Sequence, residues 1–132
     1  MQIKKLTPNL IVRDVEASLK FYREVLGLEP AMTVPEQAPY VFAGVSNGTV
    51  EIFFNDQKVV AAEYPKLAAS IGASLTLYME VDSLQGVLDR VQKAGAKISM
   101  PVTEQFYGMK EFAFEDGDGY TITIAEKIVV GP

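Results

Sequence analysis

Apolar positions recur along this chain with two periods. Val15, Leu19, Tyr22 and Leu26 fall on one stripe at helical spacing. Asp14 stands before them, where a carboxylate can accept from the orphan N–H groups of a first turn, and Gly27 suits a left-handed stop. A helix over about 15–26 is predicted. Leu84, Val87, Leu88 and Val91 repeat the pattern over about 83–94, with Asp82 or Ser83 as cap and Gly95 as stop. In both helices the apolar stripe reads as packing rather than function.

Elsewhere the period is two, the mark of strands. Leu6, Pro8, Leu10 and Val12 share one face, opposite Thr7, Asn9 and Ile11. VEIFFN (50–55) separates Val50, Ile52 and Phe54 from Glu51, Phe53 and Asn55. LTLYME (75–80) separates Leu75, Leu77 and Met79 from Thr76, Tyr78 and Glu80. TITIA (121–125) separates Ile122 and Ile124 from Thr121, Thr123 and Ala125. Asn47-Gly48 and Asp118-Gly119 supply hairpin turns.

These elements repeat. Asp14 to Gly27 and Asp82 to Gly95 are both 13 residues apart, each span following a strand and preceding further strands. The pattern predicts an α+β fold of two duplicated β-α-β-β-β modules, about 5–55 and 74–126, within a single domain spanning 1–132. The segment 56–73 joins them as a crossing loop or short helix, a candidate hinge for strand exchange or a flap.

One face of each strand is aliphatic and can carry the helices; the other mixes Thr, Asn, Glu, Tyr and Phe. An open sheet face would also be polar, but Phe53 and Tyr78 among the polar residues suit a walled cleft. The candidate ligand-binding residues are Asn9, Phe42, Glu51, Phe53, Thr76, Tyr78, Tyr107, Glu111 and Thr123. Each has a plainer reading. Glu51 can be solvated or lysine-paired, and Phe42 and Phe53 can be plain core. Tyr78 and Tyr107 can cap a core edge, Glu111 can be a surface group beside Lys110, and strand threonines follow from β propensity.

Composition narrows the chemistry. A 132-residue chain, 48% hydrophobic and 22% charged, suits one soluble domain. It contains no cysteine and no histidine. Disulfides, thiolate or imidazole metal sites and Ser-His or Cys-His relays therefore cannot be built within it. Only an oxygen-ligated site remains for a metal. The net charge of −5 disfavours nucleic acid and anionic membranes and favours cationic ligands. No phosphate-cradling glycine loop or dinucleotide fingerprint is present. No apolar run reaches the roughly 18 residues of a membrane span, and the first residues show no secretory pattern. A cytoplasmic location is expected.

PNLIVRDVEASLKFYREVLGLE, with its Asp-capped helix, Phe21-Tyr22 pair and Leu-Gly stop, resembles the opening of vicinal oxygen chelate proteins. That superfamily includes glyoxalase I, ring-cleaving dioxygenases, fosfomycin-modifying enzymes and bleomycin resistance proteins. DGDGYTITIAE resembles its closing hairpin, and the likeness spans about residues 5 to 126. The resemblance implies a partly rolled sheet around a cleft. It also implies a homodimer in which chains frequently exchange strands or modules.

The superfamily's metal enzymes place His or Glu on four strands. Aligned on the Asp caps and the last hairpin, those positions fall near Thr7, Glu51, Thr76 and Thr123. Three neutral threonine hydroxyls are poor metal ligands. No metal, cofactor or catalytic residue is therefore assigned. TEQFYGMKEFAFEDGDG resembles the bleomycin resistance branch in Glu104-Gln105, Tyr107-Gly108 and Glu111-Phe112. It departs from that branch in Tyr107 for Trp, Asp116-Gly117 for Asp-Pro and Tyr120 for Asn. The resulting expectation is a metal-independent protein that binds a cationic aromatic small molecule, as in antibiotic sequestration, rather than turning it over. The alternative is a lyase, isomerase or dioxygenase with an atypical oxygen-only metal site.

Overall fold

Asp14 and Gly27 bound the first helix as their chemistry requires. In the computed structural model, which describes residues 1–72 and 74–129, α1 runs Val15–Leu26. The Asp14 side chain accepts from the Ala17 N–H at 3.1 Å. Gly27 adopts φ 67°, where a side chain would be strained. The second long helix, α4 (Leu84–Ala94), ends the same way at Gly95, φ 69°. Its cap is Ser83, which accepts from Gly86 N–H at 3.1 Å.

The full order is β1 (Asn9–Val12), α1, β2 (Glu29–Val34), β3 (Phe42–Ser46), β4 (Glu51–Asp56), α2 (Gln57–Val60), α3 (Pro65–Ala68), β5 (Thr76–Glu80), α4, β6 (Ile98–Glu104), β7 (Met109–Glu115) and β8 (Thr121–Lys127). The chain forms two compact units, Met1–Ile71 and Gly72–Pro132. Each carries one α+β module with a four-stranded mixed sheet, β1-β4-β3-β2 in the first and β5-β8-β7-β6 in the second. The joining segment is two short helices, α2 and α3.

In the first unit, β1 lies parallel to β4, with Asn9 opposite Phe53 and Leu10 opposite Phe54. Leu10, Val12, Ala43, Val45, Ile52 and Phe54 are buried, as are Val15, Leu19, Tyr22 and Val25 of α1. The Tyr22 and Phe54 rings lie 4.8 Å apart. The helix seam turns on Val25, fully buried, rather than Leu26, which is half-buried. Strand β1 is shorter than alternation predicts, beginning at Asn9 and leaving Leu6 exposed. Ile11, expected on the polar face, is buried together with Leu10 and Val12, so the strand is covered on both faces.

The second unit repeats the plan. β5 lies parallel to β8, with Thr76 opposite Thr121 and Tyr78 opposite Thr123. Phe112, Phe114, Ile122 and Ile124 are fully buried on one face, with Leu84 and Val91 of α4 buried as well. Val87 and Leu88 are half-buried. The turn after β7 is held by Asp116, whose carboxylate accepts from the N–H groups of Asp118 and Tyr120, each at 2.9 Å. Gly119 takes φ 87° there. At the earlier hairpin, Asn47 accepts from the N–H groups of Thr49 and Val50.

Candidate functional site

The candidate residues fall into two groups, one on each sheet. On the first sheet, Glu51 lies at the start of β4, opposite Ser46. Its Oε1 receives the Lys5 ammonium at 2.7 Å and the Thr7 hydroxyl at 3.2 Å. The Lys5 contact, foremost, holds the Glu51 carboxyl below its ordinary value of 4.5. Glu51 is thus lysine-paired. Asn9 of β1 lies opposite Phe53 and accepts from the Asn55 amide at 3.1 Å.

Phe42 and Phe53 form the aromatic part of this face, edge to face with centroids 5.0 Å apart. Both rings are half-buried. Their seat is Gly44, which pairs with Phe53 across β3 and β4. A Cβ at Gly44 would meet the Phe53 ring at 3.1 and 3.2 Å. The missing side chain is what lets the ring lie down over the backbone. Met32 of β2, opposite Gly44, extends the apolar surface.

On the second sheet, Thr76, Tyr78, Glu111 and Thr123 share the face opposite the buried phenylalanines. The Thr76 and Thr123 hydroxyls bond each other at 2.6 Å. Glu111 is the focus. It is 3% exposed, and each of its oxygens accepts one hydrogen bond: the Tyr78 hydroxyl donates to Oε2 and the Tyr107 hydroxyl donates to Oε1 at 2.8 Å. Tyr78 is on β5, Glu111 on β7, and β8 runs between them. That span is two strand spacings, roughly 10 Å. Ala125 of β8, opposite both Glu80 and Glu111, leaves room for the tyrosine to reach across. Tyr107 comes from the turn between β6 and β7. The bond to Glu111 pushes the Tyr78 hydroxyl up to about 12 and raises that of Tyr107 as well. Both rings are about half exposed.

The metal that the resemblance implies has no fitting donor set here. Glu51 is held by an ammonium, and Thr76 and Thr123 spend their hydroxyls on each other. Among the described residues, no three of His, Cys, Asp and Glu cluster as metal ligands. Neutral hydroxyls and one neutralised carboxylate do not hold a divalent ion.

Sequence reasoning named Glu111 and both tyrosines but not their mutual bonds. It missed Lys5 as the partner of Glu51 and Gly44 as the seat of Phe53. Lys5 precedes any strand, so no periodicity marks it. A glycine inside a strand pattern, as at Gly44, does signal close approach by a neighbour and was available to be read.

The model of the Glyoxalase/Bleomycin resistance protein/Dioxygenase superfamily matches residues 3–124. No curated protein matches the sequence. Similar solved structures include TioX from Micromonospora sp. ML1, at 15% identity over 95% of this chain and 99% of that one, with a TM-score of 0.75. Hypothetical protein SA1046 from S. aureus aligns at 19% identity over 96% and 95% of the two chains, TM-score 0.78. A glyoxalase/bleomycin resistance protein/dioxygenase family enzyme from Burkholderia phytofirmans PsJN aligns at 23% identity over 92% and 97%, TM-score 0.75. At these identities the likeness is one of fold.

Proposed function

Because the chain belongs to the Glyoxalase/Bleomycin resistance protein/Dioxygenase superfamily, we propose that it serves that fold's binding role without a metal, holding a cationic aromatic small molecule in the manner of bleomycin resistance proteins. The observation that carries this reading is Glu111, a buried carboxylate between two half-exposed tyrosine rings. Aromatic faces stack on planar ligands and attract cations. Phe42 and Phe53 offer a second aromatic surface on the other sheet. The neutralised Glu51 and self-paired threonines speak against carbonyl polarisation by a bound ion.

The protein works on this reading as a homodimer in the cytoplasm. Exposed apolar residues such as Met32, Val34 and Phe106 support self-association. A cysteine-free chain suits a reducing compartment. No helix among the described residues is long and apolar enough to cross a membrane.

The test joins elemental analysis and native mass spectrometry with titration by cationic planar heteroaromatics, bleomycin among them. A metal-free dimer that takes up such a ligand unchanged supports sequestration. Stoichiometric divalent ion with conversion of the ligand would return the protein to the metal enzymes.

A further inference from the structure

Among the described residues, no cation pairs with Glu111. Its two bonding partners are the neutral hydroxyls of Tyr78 and Tyr107. The lysines nearest along its sheet are engaged elsewhere: Lys110 with Glu126 at 3.9 Å, Lys127 with Glu80 at 3.8 Å. Lys110 also stands one residue from Glu111 and so projects from the other face of the strand. A carboxylate taken out of water without a cation is costly, and the bonds from neutral hydroxyls offset only part of that cost.

The carboxylate keeps acceptor capacity beyond the two tyrosine bonds. Each carboxylate oxygen can accept two hydrogen bonds, and each accepts one from tyrosine. The remaining acceptor capacity is fixed in direction, because Tyr78 from β5 and Tyr107 from the β6–β7 turn pin the carboxylate from two sides. Both rings reach water and can flank a cation approaching from solvent. Glu111 itself is nearly closed to solvent, so what reaches it must be a narrow hydrogen-bond donor, and a cationic N–H group supplies both the bond and the balancing charge.

We propose that Glu111 is the receptor for an N–H-bearing cationic head group, an ammonium or amidinium carried on an aromatic ligand, with Tyr78 and Tyr107 as its walls. This rests on the reading that the protein binds a cationic aromatic molecule, and it adds the selection rule. A quaternary ammonium, which has no N–H to donate, gains the cation–π contact but not the carboxylate bond. The tyrosines are positioning residues for the carboxylate as well as contact surfaces.

The test compares benzylammonium with benzyltrimethylammonium, titrated into the full chain and followed by NMR. In the wild type, benzylammonium binds more tightly by roughly tenfold or more. In Glu111→Gln that preference falls toward one. The Glu111 side-chain carboxyl resonance of the wild type reports independently, should the variant not fold: it moves with benzylammonium and stays with the quaternary probe. Equal binding of both probes with an unmoved carboxyl resonance overturns the selection rule while leaving cationic aromatic binding intact. Failure of both probes to bind overturns the broader reading, and this inference with it.

Discussion

The hydroxyl oxygens of Thr76 and Thr123 lie 2.6 Å apart, on parallel strands and 47 residues apart in sequence. Two positions that the family resemblance sets near the metal ligands of the superfamily's enzymes are thereby joined to one another. Replacing both with histidine puts two imidazoles on neighbouring strands where a borderline-soft ion can bridge them. The Thr76→His/Thr123→His protein should bind zinc more tightly than the wild type, by at least about tenfold, in a competition assay with a coloured chelator. Unchanged affinity would mean that the two side chains do not converge.

Lys5 and Glu51 give an acid-dependent contribution to stability. The folded-state carboxyl lies below its ordinary 4.5, so the contribution is complete above that value and is lost as pH falls through the lowered one. Wild type should unfold at a higher temperature than Glu51→Gln at neutral pH, by a small margin because Lys5 is largely exposed. The margin should close in strong acid. A gap that persists there would show that the pairing is not its source.

The tyrosine hydroxyls titrate in the opposite sense. Tyr78 is raised from 10 to about 12 by its bond to Glu111, and Tyr107 is raised too. Their contribution to stability is complete below pH 10 and is lost as pH climbs through the raised values. Ultraviolet titration of tyrosinate should show a late-ionising fraction. In Glu111→Gln that fraction should move back toward the ordinary tyrosine range.

Gly44 supports Phe53 by having no side chain. In Gly44→Ala the new methyl comes a few tenths of an ångström inside ordinary contact with the ring edge, and the half-exposed ring must tilt. Stability should change by less than about 1 kcal/mol, since a strand alanine offsets part of the crowding. The Phe53 ring resonances should shift, and binding of planar ligands on that face should weaken. Unaltered ring resonances would place Phe53 elsewhere in solution.

Asp116 ties the last hairpin through two backbone N–H groups. Asp116→Ala leaves donors at a buried turn unsatisfied and should destabilise the chain by about 1–3 kcal/mol in chemical denaturation.

Local chemistry explains what the sequence made legible. Asp14, Gly27 and Gly95 act within a turn of where they stand, as do Asn47 and Asp118-Gly119, and composition alone excluded imidazole and thiolate chemistry. The second cap, open between Asp82 and Ser83, goes to Ser83 on geometry that both residue types can adopt. Burial was harder to read. Alternation placed Ile11 on a polar face, yet it is covered, because burial depends on what other parts of the chain lay over a strand. Glu111 is the sharper case. Beside Lys110 it reads as a surface residue, and only the convergence of β5, β7 and the β6–β7 turn makes it a buried acceptor. Lys5, outside any periodic element, becomes visible only through its contact.

In both sheets the first and last long strands of the module lie side by side, β1 on β4 and β5 on β8. The Lys5–Glu51 and Tyr78–Glu111 contacts each join the two ends of a module, whereas the Phe42–Phe53 and Tyr107–Glu111 contacts form within one hairpin. The two end-to-end contacts come into being only when their module closes, and they disappear if the closing strand is displaced. The Thr76–Thr123 bond is in that sense a latch: amide exchange along β8 should report whether the second sheet is shut, and the binding proposed at Glu111 should rise and fall with that protection.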